Sequence, residues 1–114
     1  ATICVFALAA DTDAEARRLL QTREFWRVGF EQGIRKPLVS PDYAAAYPYS
    51  SAERSMIEAL RHKAIVGTGD AVAARLTELA GRLALEELVV VTWTHDPAAR
   101  HRSYELLAAA INSP

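Results

Sequence analysis

The sequence predicts an α/β protein built on a parallel sheet, and three observations carry that reading. Three apolar stretches (residues 2–10, 64–66 and 88–93) each run into a segment with apolar residues at helical spacing. Each junction holds helix-starting residues: Thr12 with Glu15, Thr68 or Asp70, and Asp96 followed by Pro97. A β/α unit repeated in this way makes a parallel sheet with crossover helices.

The elements follow in order. Residues 2–10 (TICVFALAA) are apolar without alternation, which predicts a strand covered on both faces. No basic region precedes them, so they do not read as a signal-peptide core. Cys4 lies within this run and is expected to be buried and inert. As the single cysteine it excludes an internal disulfide and fits a reducing cytoplasm. Thr12 and Glu15 have the spacing of a capping box, and Asp13 suits the positive end of the helix dipole. That helix is predicted to run to about Glu31, to stop at Gly33, and to bury Ala16, Leu19, Leu20, Trp26 and Phe30.

Residues 34–50 hold Pro37, Pro41 and Pro48 and predict a loop. Ser50 with Glu53 is a second capping box, opening a short helix with Ala52, Met56 and Leu60 on one face. The connection over residues 34–63 is longer than most and predicts an excursion, either functional or covering a neighbouring surface. Residues 64–66 predict a very short strand turned by Gly67 and Gly69. Val72, Leu76, Leu79 and Leu83 predict the next helix. Residues 88–93 predict the strongest strand of the three. The last helix is expected to bury Tyr104, Leu107, Ala108 and Ile111 before a frayed end at residues 112–114.

Composition narrows the function classes. Hydrophobic residues make up 51%, too many for a disordered chain. No apolar run reaches the ~18 residues of a membrane helix. A net charge of −1 gives no reason to expect nucleic acid or an acidic membrane as partner. His62, His95 and His101 have no metal-ligand spacing, and there is no nucleotide-binding loop or nucleophile elbow. The remaining candidates are the three strand-to-helix turns, because a parallel sheet collects its sites at the carboxyl ends of its strands. Asp11 with Thr12, and Thr68 between Gly67 and Gly69, are explained as caps, although the two glycines would also let a phosphate approach. The third turn, Thr92 to Asp96, is the best candidate. Trp93 could wall a flat aromatic cofactor, beside Thr92 and Thr68, and His95 could donate a hydrogen bond or move a proton. The alternative is that Trp93 packs under the last helix and His95 is solvated. Arg100, His101 and Arg102 sit where cations oppose the helix dipole, which suggests a carboxylate partner or an interface.

Five pieces of the chain, taken in order, resemble the C-terminal end of the bacterial luciferase-like, flavin-dependent monooxygenases. They are Ala10, Asp11 and Thr12 with Glu15 and Ala16; residues 41–47; Ile65, Val66, Gly67 and Thr68 with Val72; Glu87, Leu88, Val89 and Val90; and the run from Arg100 to Ala108. Two departures stand out: Gly69 and Asp70 replace the family's Pro-Glu, and Ala84, Leu85 and Glu86 replace its Gly-Val-Asp. The second loses a favoured glycine at a helix end, a local cost of about 1 kcal/mol.

The resemblance implies a TIM-type (β/α)₈ barrel, of which residues 1–114 would be the C-terminal portion: three consecutive β/α units forming a partial barrel. A whole barrel takes ~250 residues. It also implies a parent that uses reduced FMN and O₂ to oxidise an organic substrate, with a flavin reductase as partner. Most flavin-binding residues of that family lie in earlier strands, so the fragment by itself is expected to bind no FMN and to be inactive. Its open strand edges, and the apolar faces assigned to Ile3, Val5, Val89 and Val91, are expected to drive self-association or docking with the missing strands. The alternative is a small stand-alone α/β association module.

Overall fold

Strand β1 (Thr2–Ala10) is the axis of the molecule, whose computed structural model describes residues 2–112. Then come α1 (Asp13–Glu31), α2 (Pro41–Ala46), α3 (Ser51–Lys63), β2 (Ile65–Thr68), α4 (Gly69–Arg82), β3 (Glu87–Val91) and α5 (Pro97–Ile111). All three strands are parallel, in the order β2-β1-β3. Three consecutive barrel units would run β1-β2-β3, so the strand order departs from the partial-barrel expectation. The reason lies in the length of β1. Its C-terminal half, Ala7 to Ala10, pairs with β2, and its N-terminal half, Thr2 to Phe6, pairs with β3 on the other side.

Helices cover both faces of β1, as its unalternating sequence predicts. Leu8 and Ala10 pack with Ala16, Leu19 and Leu20 of α1, while Ala7 and Ala9 pack with Val72 and Leu76 of α4 and Leu107 of α5. The cover is complete only over the C-terminal half. Cys4 is therefore exposed, not buried, because α1 lies over the Leu8–Ala10 half of its face. The register also corrects the face assigned to Ile3, Val5, Val89 and Val91. Ile3 pairs with Leu88 and Val5 with Val90, on the side packed by α4 and α5; Cys4 pairs with Val89 and Phe6 with Val91 on the other. Residues two apart share a face, so the set mixes both faces. β3, expected to be the strongest strand, is an edge strand that ends at Val91, with Val89 40% and Val91 39% exposed.

Local capping matches the sequence at most helix starts. Ser50 and Glu53 make a reciprocal capping box. Thr12 accepts from the Glu15 amide, but the Glu15 carboxylate turns to Arg18 instead of closing its box. Gly33, at φ 74°, ends α1 in a Schellman turn, with the Ile34 amide on the Gly29 carbonyl. The segment read as a loop contains α2, because Ser40 is an N-cap and Pro41 occupies the first helical position, where its missing N–H costs nothing.

Several predicted apolar faces are rotated. Phe30 is exposed and stacks on Trp26; Ile57, not Ala52, is buried on α3; Ala108 and Ile111 are exposed while Ser103 and Leu107 are buried on α5. Leu83 caps α4 and is half exposed. Of the expected frayed end, Ser113 and Pro114 lie outside the described residues.

The missing glycine after α4 has a structural counterpart. Ala84 has φ 51°, the left-handed position of a Schellman turn in which the Leu85 amide meets the Ala80 carbonyl. An L-side chain is disfavoured there. Ala84→Gly is expected to stabilise the chain by about 1 kcal/mol, net of the extra entropy that glycine gives the unfolded state. An unchanged or lower urea midpoint would count against this strain.

Candidate functional site

The three strand-to-helix turns lie at the carboxyl ends of the strands, but they do not converge on one cavity. Thr68 ends β2 and caps α4, its Oγ1 accepting from the Ala71 amide at 3.3 Å. With Asp11, Gly69, Asp70 and Leu106 it lines a cavity of ≈ 420 Å³. Trp93 and His95 are not part of that lining. Gly69 is explained by packing: a Cβ there would sit 2.9 Å from the Leu106 carbonyl oxygen, so α4 and α5 meet at its backbone. Two carboxylates, Asp11 and Asp70, border the cavity, an unfavourable setting for a phosphate.

The third turn is tied down by α5. Thr92 is buried, and its hydroxyl donates to the Ala7 carbonyl. Its amide donates to the Tyr104 hydroxyl at 3.0 Å, and its carbonyl accepts from Arg100 Nε at 2.8 Å. Ser103, fully buried, accepts the Ala9 amide at 2.9 Å. β3 has stopped at Val91, so Thr92 and Ser103 satisfy backbone groups of β1 that no strand reaches. Thr94 is also buried, its hydroxyl on the Asp96 carbonyl, while the Asp96 side chain caps α5 through the Ala98 amide.

Trp93 does not pack under the last helix. Its indole meets Phe6 edge-on at 5.5 Å and Trp26 at 5.4 Å, on the α1 side of the sheet. It is half-buried, with Arg23 5.9 Å from its ring centre. His95 is exposed.

Arg102 has found the carboxylate that its position calls for. It reaches Asp11 at the end of β1 at 2.7 Å, and that hydrogen bond holds the Asp11 carboxyl below the ordinary range. Asp11, Thr92, Arg100, Ser103 and Tyr104 thus form a polar lattice joining the β1 and β3 turns to α5. Sequence reading named Thr92 and the arginines but missed the part played by Ser103. Its signal was a serine in phase with Leu107 on an otherwise apolar stripe. Among the described residues there is no group of side chains that could hold a metal, and no helix is long and apolar enough to cross a membrane.

No protein-family profile matches the chain. It is similar to the uncharacterised protein YwcH of Bacillus subtilis (strain 168), 40% identical over 114 residues, covering 97% of this chain and 34% of that protein. It is also similar to the N-acetyl-S-alkylcysteine monooxygenase of the same organism, 30% identical over 103 residues, covering 90% of this chain and 31% of the enzyme. Among solved structures, the crystal structure of apo-MsnO8 superposes with a TM-score of 0.81 at 32% identity, over 99% of this chain and 35% of that one. The chain spans about a third of the length of each, and it is a distant relative of a bacterial monooxygenase over most of its own length.

Proposed function

We propose that the chain is the C-terminal third of a luciferase-like, FMN-dependent monooxygenase of the cytoplasm. The observation that carries this reading is the 30% identity to a monooxygenase over 90% of the chain. In the whole enzyme, bound reduced flavin supplies the electrons for O₂ to oxidise an organic substrate. This chain's part is to wall and orient. The half-buried Trp93 indole, braced by Phe6 and Trp26, presents an aromatic surface to a flat ring. The exposed His95 imidazole stands two residues on, placed to hold or pass a proton, whereas the Thr68 hydroxyl caps α4 on a separate cavity and takes no part in this wall. Thr92 supports the wall from behind, with its hydroxyl committed to Ala7. The fit is partial. The Trp93 surface suits the ring of a flavin, whereas the Thr68 cavity offers its phosphate only the carboxylate of Asp70 and an Asp11 already paired with Arg102, so the phosphate falls to the remainder of the polypeptide.

The test uses both lengths of protein. In the full-length enzyme, Trp93→Ala is expected to weaken FMN or substrate binding about tenfold or more while shifting the melting temperature little. A core tryptophan would instead cost ~3–5 kcal/mol of stability and leave affinity intact, and that pattern would remove Trp93 from the site. The isolated chain, given FMN, NADH and a reductase, is expected to oxidise no substrate above the free-flavin background. Its uncovered Val89 and Val91 and its open β3 edge favour self-association, so it should sediment above its 12.5 kDa monomer mass. Turnover by the isolated chain would refute the assignment of the missing pocket to the rest of the enzyme.

A further inference from the structure

A second concavity, of ≈ 630 Å³, opens beside the N-terminal half of β1, where β2 has not yet begun to pair. None of Thr68, Thr92, Trp93 or His95 lines it. Its floor is apolar, built from Ile3, Val5, Phe6, Leu60, Ile65 and Leu79. Its walls carry five cations, on α1, α3 and α4, against the single carboxylate Glu78. Two of the five are already engaged: Arg27 pairs with Glu31, and Arg75 donates to the Ala64 carbonyl. Arg23, Lys63 and Arg82 have no ion-pair partner among the described residues.

Arg23 is the informative member. Its guanidinium lies 4.0 Å above the Phe6 ring, and its Nε is buried with no acceptor. A buried donor left unpaired costs free energy, and more so when charged. Arg27 stands four residues on, one helical turn away on the same face, a repulsive placement for two like charges. Burial, and then the charge of Arg27, push the Arg23 guanidinium below its ordinary pKa. An oxyanion between them would relieve the repulsion and give the guanidinium the bidentate partner its fork is shaped for.

We propose that this concavity binds a small organic anion, a carboxylate or phosphate ester on an apolar body, gripped by Arg23 with Arg27 and Lys63 adding charge. The apolar floor takes the body of the ligand and the basic wall takes its head. The excess of cations favours a dianion over a monoanion. Binding draws the Arg23 side chain off the Phe6 ring by a rotamer change, which gives its Nε–H an acceptor. This site makes no use of the flavin reading and stands or falls without it.

The test is a titration of the ¹⁵N-labelled chain with phenyl phosphate, phenylacetate and the neutral benzyl alcohol, following the arginine Nε–H and backbone amide signals. Both anions are expected to saturate and to move the Arg23 Nε–H signal, phenyl phosphate binding the tighter and benzyl alcohol at least tenfold weaker than either. Arg23→Met should weaken the anions about tenfold, Arg23→Lys should recover part of that loss, and Arg17→Met, on a surface pair with Asp13, should change nothing. If Arg23→Met fails to fold, Lys63→Met with Arg82→Met reads the same charge dependence. Equal affinity for benzyl alcohol, or anion affinity unchanged by removing these cations, would overturn the proposal. So would the absence of a saturable shift at millimolar probe.

Discussion

Arg61→Leu is expected to destabilise the chain by about 2–3 kcal/mol, measured as a fall in the urea midpoint at constant slope. Glu24 of α1 is 5% exposed, and its carboxylate is held by two hydrogen bonds from Arg61 in the last turn of α3, Nε to Oε2 at 2.8 Å and Nη2 to Oε1 at 3.1 Å. Removing the arginine leaves a desolvated carboxylate with no cation, the change that costs ~3–5 kcal/mol for a fully buried pair. The Arg61 side chain is 45% exposed, so water reaches the site and the cost falls below that range, to about 2–3 kcal/mol. The double variant Glu24→Leu with Arg61→Leu should recover most of the loss, since the cost is the unpaired charge and not the absent bond. A single-variant loss under about 0.5 kcal/mol would show that the pair behaves as an exposed one. The pair joins the long 34–63 connection to the first helix, so its loss should also loosen α3 before the sheet in hydrogen exchange.

The second large effect is expected at the polar lattice under the third turn. Ser103→Ala should cost about 2 kcal/mol by leaving the Ala9 amide without an acceptor in a site where Ser103 is fully buried and water is excluded. Thr92→Val, close in shape, should cost a similar amount by abandoning the Ala7 carbonyl. Both groups serve the same strand end, so the double variant should depart from additivity, and the size of the departure measures their coupling. Exchange of the Ala9 amide is the direct readout for Ser103: it should accelerate in Ser103→Ala more than the global stability change requires. Unchanged protection at Ala9 would mean that the hydrogen bond contributes nothing to holding β1 beyond the end of β3.

Local chemistry made much of the structure legible from the sequence. Thr12, Ser50, Thr68 and Asp96 were all read as helix starts and all accept the amides expected of caps, because capping depends on residues within one turn. The unalternating run of β1 correctly implied helices on two faces. Local pattern does not reveal α2, because a proline that turns the preceding residue away from helix is also the residue that begins this one. Glu24 falls in the four-residue spacing of Ala16, Leu20 and Val28 on the buried stripe of α1, a phase at which a carboxylate requires a distant cation that local pattern does not name.

By itself, then, the sequence determined the kinds of element, most of their boundaries, the parallel α/β class and the three turns where a site could form. Those properties follow from periodicity and capping, which act over a few residues. Only the tertiary structure decided that β1 is central, that Cys4 and the outer valines of β3 stay uncovered, and that Trp93 joins Phe6 and Trp26 rather than α5. It also decided that Ser103 serves a strand amide 94 positions away. These outcomes depend on which halves of a nine-residue strand find partners and on where neighbouring strands stop. Backbone groups left over by the sheet must be satisfied by whatever side chain the packing of a later helix brings within reach, and no local pattern specifies that side chain.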